Sequence, residues 1–421
     1  MNNESSRKLA GVIDLLLESS SRINEAKPQH YLYPLSMATY GVEEIIEAID
    51  SMCSFRTTMW EKTSEFERSF CDYQNCASAV MVNSGSSADL LLCFLLTNPY
   101  RPYLEKNTEI LVPALTWPTQ IWSAMMAGFK VRLIDVDPDT LNIDLDDLES
   151  QISAETKGIF LVHLMGNPCN MDRLMEIASR HDLVLLEDCC EALGSTWDGR
   201  KVGNFGLGGT FSFFFSHHMT TMEGGMVICQ DEEMSDHLRI MRAHGWLRNV
   251  RSGAYELDAR DLDSRYAFYN WGFNLRPTEL QASFGLRQIL KLPIFNDRRV
   301  ELSSKFYQFI DRAPYLSRPT VHPKANAIWF ALPVLVKESA PFSRDEITGY
   351  LESHGVETRP IVVGNITRHP VATLFKEFQE RTFPGADLVH KQGFYVGLSP
   401  LCTDSTFDRL LDCLDSYLSG Y

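Results

Sequence analysis

The stretch with the most chemical content runs from Ser212 to Gly225. An apolar run from Thr210 to Phe215 leads into Ser216, His217 and His218, then Thr220, Thr221 and the turn Glu223-Gly224-Gly225. Imidazole, with an ordinary pKa of about 6.5, can take and return a proton near neutrality. A histidine just past a strand end, ahead of a glycine turn, stands where α/β enzymes present catalytic groups. The competing reading is a pair of satisfied polar residues at a strand end. Three other groups bear on the choice. Asn83-Ser84-Gly85-Ser86-Ser87-Ala88 joins an apolar run to an apolar helix, so backbone N–H groups at a helix start can meet an anion. An ordinary N-cap with a tight turn would look the same, and neither a Walker loop nor GxGxxG is present. Trp117, in Thr116-Trp117-Pro118-Thr119, can stack on a planar ring or simply pack. Asp188, in Glu187-Asp188-Cys189-Cys190-Glu191, follows the apolar Val184–Leu186 directly. A carboxylate there is costly to bury unless it meets a proton or a cation, and a protonated ring nitrogen would serve. The bland alternative is an acidic surface turn. A phosphate cup, a ring-stacking aromatic, an acid for a ring nitrogen and a proton-transfer residue together fit a pyridoxal-type cofactor.

These groups need a scaffold that brings strand ends together. Short branched runs at 79–82, 110–112, 131–134, 158–162 and 184–186 alternate with helical patterns at 88–96, 119–127, 145–152 and 172–181. That alternation predicts a mainly parallel sheet covered on both faces, an α/β fold. Met226–Cys229 adds a strand, and Asp231 caps a helix stopping at Gly245. Helical patterns precede the sheet within residues 1–30 and over Tyr40–Met52. Pro277 opens a helix through Leu290, and a second is expected from Phe295 to Ile310 after a break at Pro293. Beyond it come a strand over 328–336, a helix with the capping sequence Ser343-Arg344-Asp345-Glu346, a strand near 356–359 and a helix over 404–418. The expected division is a large domain over 1–294 and a smaller α+β domain over 295–421.

Among 421 residues, 44% are apolar and 22% charged, with a net charge of −16. That acidity argues against nucleic acid or an anionic membrane as the main partner. No run approaches the roughly 20 apolar residues of a membrane span. The N-terminus lacks a signal-peptide core, and the ten cysteines are scattered without disulfide or metal-site spacing, so a cytoplasmic protein without a metal centre is expected.

From about Tyr33 to its C-terminus the chain resembles the sugar aminotransferase superfamily of fold type I, which acts on nucleotide-linked keto sugars. The resemblance is carried by Asn83–Ala88, Thr116-Trp117, Glu187-Asp188, Ser212-Phe213, Glu223-Gly224-Gly225 and Gly272-Phe273-Asn274-Leu275-Arg276. In that family the position of His217 holds the lysine that forms a Schiff base with the cofactor. An imidazole cannot form the imine. The departure marks the smaller branch of pyridoxamine-phosphate-dependent sugar 3-dehydratases. One type in that branch carries a [2Fe–2S] cluster between the His-Gly helix end and the Gly-x-Asn turn, but Trp246 to Trp271 holds no cysteine here. The runs Phe215–His218, Arg242–Asn249 and Arg359–Asn365 look like the cluster-free type, which implies no iron–sulfur cluster.

The resemblance implies pyridoxamine 5′-phosphate and pyridoxal 5′-phosphate as cofactor forms, removal of the C3 hydroxyl of a nucleotide-linked 4-keto-6-deoxyhexose (GDP-4-keto-6-deoxymannose first), and re-amination by glutamate. It implies His217 as base and then acid, Asp188 on the ring nitrogen, Trp117 on the ring face, and Gly85, Ser86 and Ser212 on the phosphate. Glu191 falls near the ring hydroxyl, and Asn274 reaches the phosphate of a partner subunit in a homodimer. His218, His244, Trp246, Arg248 and Arg359 are substrate-side candidates. Two other readings stay open: the same chemistry on another nucleotide sugar or an aminoglycoside-type substrate, and a non-catalytic sensory protein.

Overall fold

A computed structural model describes residues 3–25, 31–247, 250 and 263–421. Strands β1 (Ser78–Val82), β2 (Glu109–Pro113), β3 (Lys130–Ile134), β4 (Thr156–Val162) and β5 (Val184–Asp188) are followed by a hairpin, β6 (Thr196–Trp197) and β7 (Arg200–Lys201). Then come β8 (Gly208–Ser212) and β9 (Gly225–Cys229). The central sheet has the order β1-β9-β8-β5-β4-β2-β3. β9 runs antiparallel to both neighbours, and the other pairings are parallel. Every residue of β1, β2, β8 and β9 is buried, as a sheet covered on both faces requires.

The helices are α1 (Asn3–Glu25), α2 (Val42–Cys53), α3 (Glu61–Gln74), α4 (Gly85–Leu96), α5 (Thr119–Met126), α6 (Leu145–Ser150), α7 (Met171–Arg180), α8 (Glu232–Arg242) and α9 (Glu279–Ile310). Side chains expected to cap them do so. Ser84 accepts from Ser87 N–H at 3.1 Å and Asp231 from Glu233 N–H at 2.9 Å, each satisfying an orphan donor of a first turn. α8 ends as expected, with His244 at φ +66° and Gly245 at φ +83° turning the chain. A Cβ on Gly245 would lie inside the Asn270 carbonyl, so only glycine fits there.

Two expectations are corrected. The chain does not break at Pro293: α9 is one helix of 32 residues through that proline. Proline removes one helical hydrogen bond, but Leu292, Phe295, Asn296 and Arg299 are buried around it and hold the register across the gap. The strand expected over 328–336 begins only at Leu332. Residues 328–330 spend their backbone groups elsewhere. Ile328 N–H donates to Ser195 Oγ, and Arg299 Nη1 donates to the carbonyls of Trp329 and Phe330 at 3.2 and 2.9 Å.

The C-terminal part holds β10 (Leu316–Ser317), β11 (Ala325–Asn326), β12 (Leu332–Val336), β13 (Thr358–Pro360) and β14 (Gly393–Val396), with helices α10 (Arg344–Ser353), α11 (Pro384–Gln392) and α12 (Asp404–Leu418). An antiparallel sheet of order β10-β12-β14-β13 forms there, and β11 pairs with the β6–β7 hairpin. α10 carries the capping box read from Ser343 and Glu346. Helix α3 has no counterpart in the sequence reading. Its polar sequence hides a stripe of Phe66 and Phe70, which meet Phe211 and Phe213 of the β8 segment edge to face.

Candidate active site

The carboxyl ends of β5 and β8, the start of α4 and the loop after β2 converge on one cavity of about 440 Å³. In parallel sheets that edge is where ligands bind. Gly85, Ser86, Trp117, Asp188, Glu191, Ser212 and His217 all line it. Residues separated by more than a hundred positions in sequence thus share one chamber.

The floor begins at α4. Its first-turn N–H groups at Gly85 and Ser86 precede the first intrahelical bonds and carry the positive end of the helix dipole. Ser212 closes over them: a Cβ at Gly85 would stand 2.5 Å from Ser212 Cβ and 2.9 Å from its Oγ. Opposite, Ser86 Oγ and Thr119 Oγ, each on the first turn of its own helix, lie 3.1 Å apart. Hydroxyls and backbone donors are therefore brought together by the close approach of Ser212 that only a glycine at 85 allows. Trp117 stands at the mouth, 58% exposed.

Asp188 is buried at the end of β5, and its Oδ1 accepts Cys190 N–H at 2.8 Å. Burial pushes its carboxyl up, against that bond and the pull of His163. Its neighbour Glu187 points to the opposite face and is a structural anchor. Glu187 takes the N–H groups of Gly203, Phe205 and Gly206 at 2.8, 2.6 and 2.7 Å, and His163 Nε2 at 3.2 Å. His163 Nδ1 accepts Cys169 N–H, so its proton sits on Nε2, toward Glu187. These bonds lock the turn between β7 and β8 to the strand that carries Asp188.

His217 follows β8 on a turn held by its own N–H to Phe214 O at 3.0 Å. Its Nδ1 lies 2.8 Å from the Cys190 carbonyl. A carbonyl only accepts, so Nδ1 carries the proton and Nε2 is left with a free lone pair. The Phe330 ring packs against the imidazole, centroids 5.0 Å apart. Burial pushes the His217 imidazole down to about 4; the Cys190 bond opposes this and the Arg299 charge adds to it. At neutral pH His217 is therefore a base ready to accept a proton. Glu191 faces the same cavity, one oxygen taking Met165 N–H at 2.7 Å, presented by a residue at φ +55°. Burial pushes the Glu191 carboxyl up to about 7 against that bond.

The remaining candidates lie elsewhere. His218 is fully buried and turned from the cavity, its Nε2 donating to Ile328 O at 3.0 Å. His244 sits on the left-handed turn after α8. Asn274 and Trp246 line a second, more open cavity of about 650 Å³ with Arg56, Arg68 and Arg276. There Asn274 Oδ1 accepts from Arg276 Nε at 2.9 Å, and the Trp246 indole stacks on Tyr266. Arg359 of β13 pairs with Glu357, which precedes the strand, and is in register with Tyr395 of β14, which does line the first cavity. Arg248 lies outside the described residues.

Asp89, Thr119, Phe330, Val362 and Tyr395 also line the cavity and are absent from the sequence-based site. Asp89 left a signal: an acid between Ala88 and Leu90-Leu91-Leu92 interrupts an otherwise apolar helix. Phe330 and Tyr395 left none, since aromatic residues in a strand-rich region read as core.

The cavity fits a phosphorylated pyridine on its own geometry. The glycine-cleared cup supplies donors for a phosphate, Trp117 a face, and the buried Asp188 an anion for a ring N–H. No lysine lines the cavity among the described residues, so such a group would be held without a covalent bond.

Residues 39–415 match the model of the DegT/DnrJ/EryC1/StrS aminotransferase family. GDP-4-keto-6-deoxy-D-mannose 3-dehydratase of Yersinia pseudotuberculosis is 36% identical over 372 residues, covering 87% of this chain and 93% of that protein. The enzyme of the same name from Escherichia coli O55:H7 is 35% identical over 370 residues, 87% and 95%. The solved E. coli GDP-4-keto-6-deoxy-D-mannose-3-dehydratase with bound hydrated PLP superimposes with a TM-score of 0.85 at 34% identity, covering 91% of this chain and 100% of that one.

Proposed function

The chain belongs to the DegT/DnrJ/EryC1/StrS aminotransferase family, and from that premise we propose that it is a pyridoxamine-phosphate-dependent lyase. It removes the C3 hydroxyl of a nucleotide-linked 4-keto-6-deoxyhexose, with GDP-4-keto-6-deoxymannose as substrate and glutamate as the amino donor that restores the cofactor. The observation that carries this reading is His217: an imidazole whose tautomer and burial make it a free base stands where an aminotransferase needs an amine.

When bound, the cofactor supplies an amine for the sugar ketone and a ring that withdraws electrons. Gly85, Ser86 and Ser212 would hold its phosphate, and Trp117 would cover one ring face. Asp188 would keep a proton on the ring nitrogen. His217 Nε2 would accept the proton released at C4′ and then give it to the departing C3 oxygen. One group can do both because it accepts a proton in one step and is acidic in the next. Phe330 and the Cys190 carbonyl hold the ring in place between the two transfers.

Large and small domains meeting over 1–294 and 295–421 bracket this site, with Phe330 and Tyr395 entering from the second. Asn274 and the arginines of the second cavity serve a homodimer: that face lies against another copy and lends Asn274 to the phosphate there. His244, Trp246, Arg248 and Arg359 remain proposed sugar-nucleotide contacts, His218 a support behind His217. A cytoplasmic location is part of the proposal and follows from the nucleotide-linked substrate. No helix among the described residues is long and apolar enough to cross a membrane.

Glu191 gives a pH signature. With its carboxyl at about 7 it donates to the ring oxygen below that pH and repels it above. In kcat/KM profiles, activity is expected to fall as pH rises through about 7, while His217, at about 4, keeps its basic form well below neutrality. Glu191→Gln, a permanent donor, should flatten the alkaline fall. A fall that persists unchanged in this variant would remove Glu191 from the ring oxygen.

The central test mixes the purified protein with pyridoxamine phosphate and 4-keto sugars carried by GDP, CDP and dTDP. The expected products are a sugar lacking its C3 oxygen and ammonia, in single turnover without glutamate and continuously with it, with GDP preferred. Bound cofactor without turnover on any of the three would overturn the assignment.

A further inference from the structure

Asp89 lies in the first turns of α4 and is 3% exposed. It lines the cavity together with Asp188. One oxygen from each carboxylate and the Cys190 thiol lie within 4.8 Å of one another. The Thr210 hydroxyl donates to Asp89 Oδ1 at 2.7 Å, and Cys190 N–H to Asp188 Oδ1 at 2.8 Å. No lysine or arginine lines the chamber among the described residues. The other titratable groups near the pair are the buried thiols of Cys93 and Cys189 and the half-buried thiol of Cys190, which carry no positive charge, the carboxyl of Glu191, which adds none either, and His163, which acts on Asp188 but is bonded to Glu187. Two carboxylates in one dry space cannot both ionise without a cation.

We propose that Asp89 is a positioning residue for the ring-nitrogen acid: it stands as a neutral carboxylic acid whose O–H is directed at Asp188, so that the pair carries a single negative charge. Burial and then the charge of Asp188 push the Asp89 carboxyl well up, in keeping with that geometry. Asp188 keeps the charge because a backbone N–H and His163 favour its ionised form, whereas Asp89 has only a hydroxyl. The single charge then matches the single charge of a protonated pyridine ring, and the Asp89 proton fixes which Asp188 oxygen is free to meet it. The use of the pair rests on the function proposed above; the shared proton is a property of the cofactor-free chain.

Infrared difference spectra between the cofactor-free wild type and Asp89→Asn at pH 7 test the proton directly. The expected result is a protonated carboxylic acid carbonyl band in the wild type that the variant lacks. Pyridoxamine phosphate binding gives a second reading. Asp89→Asn, whose amide donates where the O–H did, should keep affinity within about threefold, while Asp89→Leu, with no donor for Asp188, should lose about tenfold or more. Absence of the band, or equal loss of affinity in the two variants, overturns the proposal. Should Asp89→Leu fail to fold, the infrared band alone decides. Should the wild type bind no cofactor while the band is present, the failure lies with the function and not with the pair.

Discussion

Replacing His217 by asparagine is expected to lower turnover by about 10³–10⁴-fold while pyridoxamine phosphate still binds within a few-fold of wild type. The separation of the two effects is the content of the prediction. His217 is the sole imidazole lining the cavity among the described residues, and its Nε2 is the free lone pair there. Asparagine can still reach the Cys190 carbonyl with its amide, so the turn keeps its anchor, but an amide neither accepts nor returns a proton near neutrality. Gly85, Trp117, Asp188 and Ser212, the cofactor contacts proposed above, are untouched. Fluorescence titration measures binding, and single-turnover assay of ammonia measures chemistry. His217→Lys is the complementary variant. Its amine should bond covalently to pyridoxal phosphate, shown as a cofactor-sized mass increment after borohydride reduction, with sugar deoxygenation lost. A His217→Asn enzyme with near wild-type turnover would transfer the proton role to another group of the cavity, such as Glu191.

How much of this was visible in the sequence depends on the range of the interaction. Most of the central sheet was legible because strands such as β2, β4 and β5 carry short apolar runs, as burial on both faces requires, whereas β8 opens on two glycines and shows itself only from Thr210. Caps were legible because Ser84, Asp231 and Ser343 act within three residues of themselves. That Gly85, Asp188 and His217 share one cavity was legible because each lies at or shortly after the end of a strand: β1, β5 and β8. Pro293 misled, since a local rule about proline was overridden by the burial of Leu292, Phe295 and Arg299 along one helix face. Helix α3 was hidden because its stripe is only Phe66 and Phe70 among polar neighbours, and their partners Phe211 and Phe213 lie far along the chain. Phe330 and Tyr395 enter the cavity from the C-terminal sheet, and nothing within their own segments says so. Glu187 and Asp188 show the limit most plainly. Adjacent acids on one strand face opposite ways, one serving three backbone N–H groups and the other the cavity.

Asp188→Asn is expected to lower turnover by about 10²–10³-fold and, at the same time, to raise the thermal stability of the cofactor-free protein. The two effects share one cause. In the folded chain burial lifts the Asp188 carboxyl above its ordinary value of 3.8. Between that ordinary value and the raised one, the folded state holds a proton that the unfolded state has released. Stability therefore falls as pH rises through that window and stays reduced at neutral pH. An amide of the same shape has no such dependence, still accepts Cys190 N–H through its oxygen, and leaves Asp89 without a charged neighbour. The loss appears only when the ring nitrogen arrives. On the proposed function, the substituted amide would offer an N–H donor where a carboxylate is needed, so a bound pyridine ring would not be held protonated and the proton transfer assigned to His217 would lose its support. Melting curves of the cofactor-free proteins and single-turnover rates measure the two halves. A stability gain that disappears below the ordinary carboxylate range, paired with the rate loss, identifies Asp188 as an acid kept at a cost in stability for the chemistry it supports. A variant that loses both stability and activity would instead make Asp188 a structural residue of the β5 end, as Glu187 is.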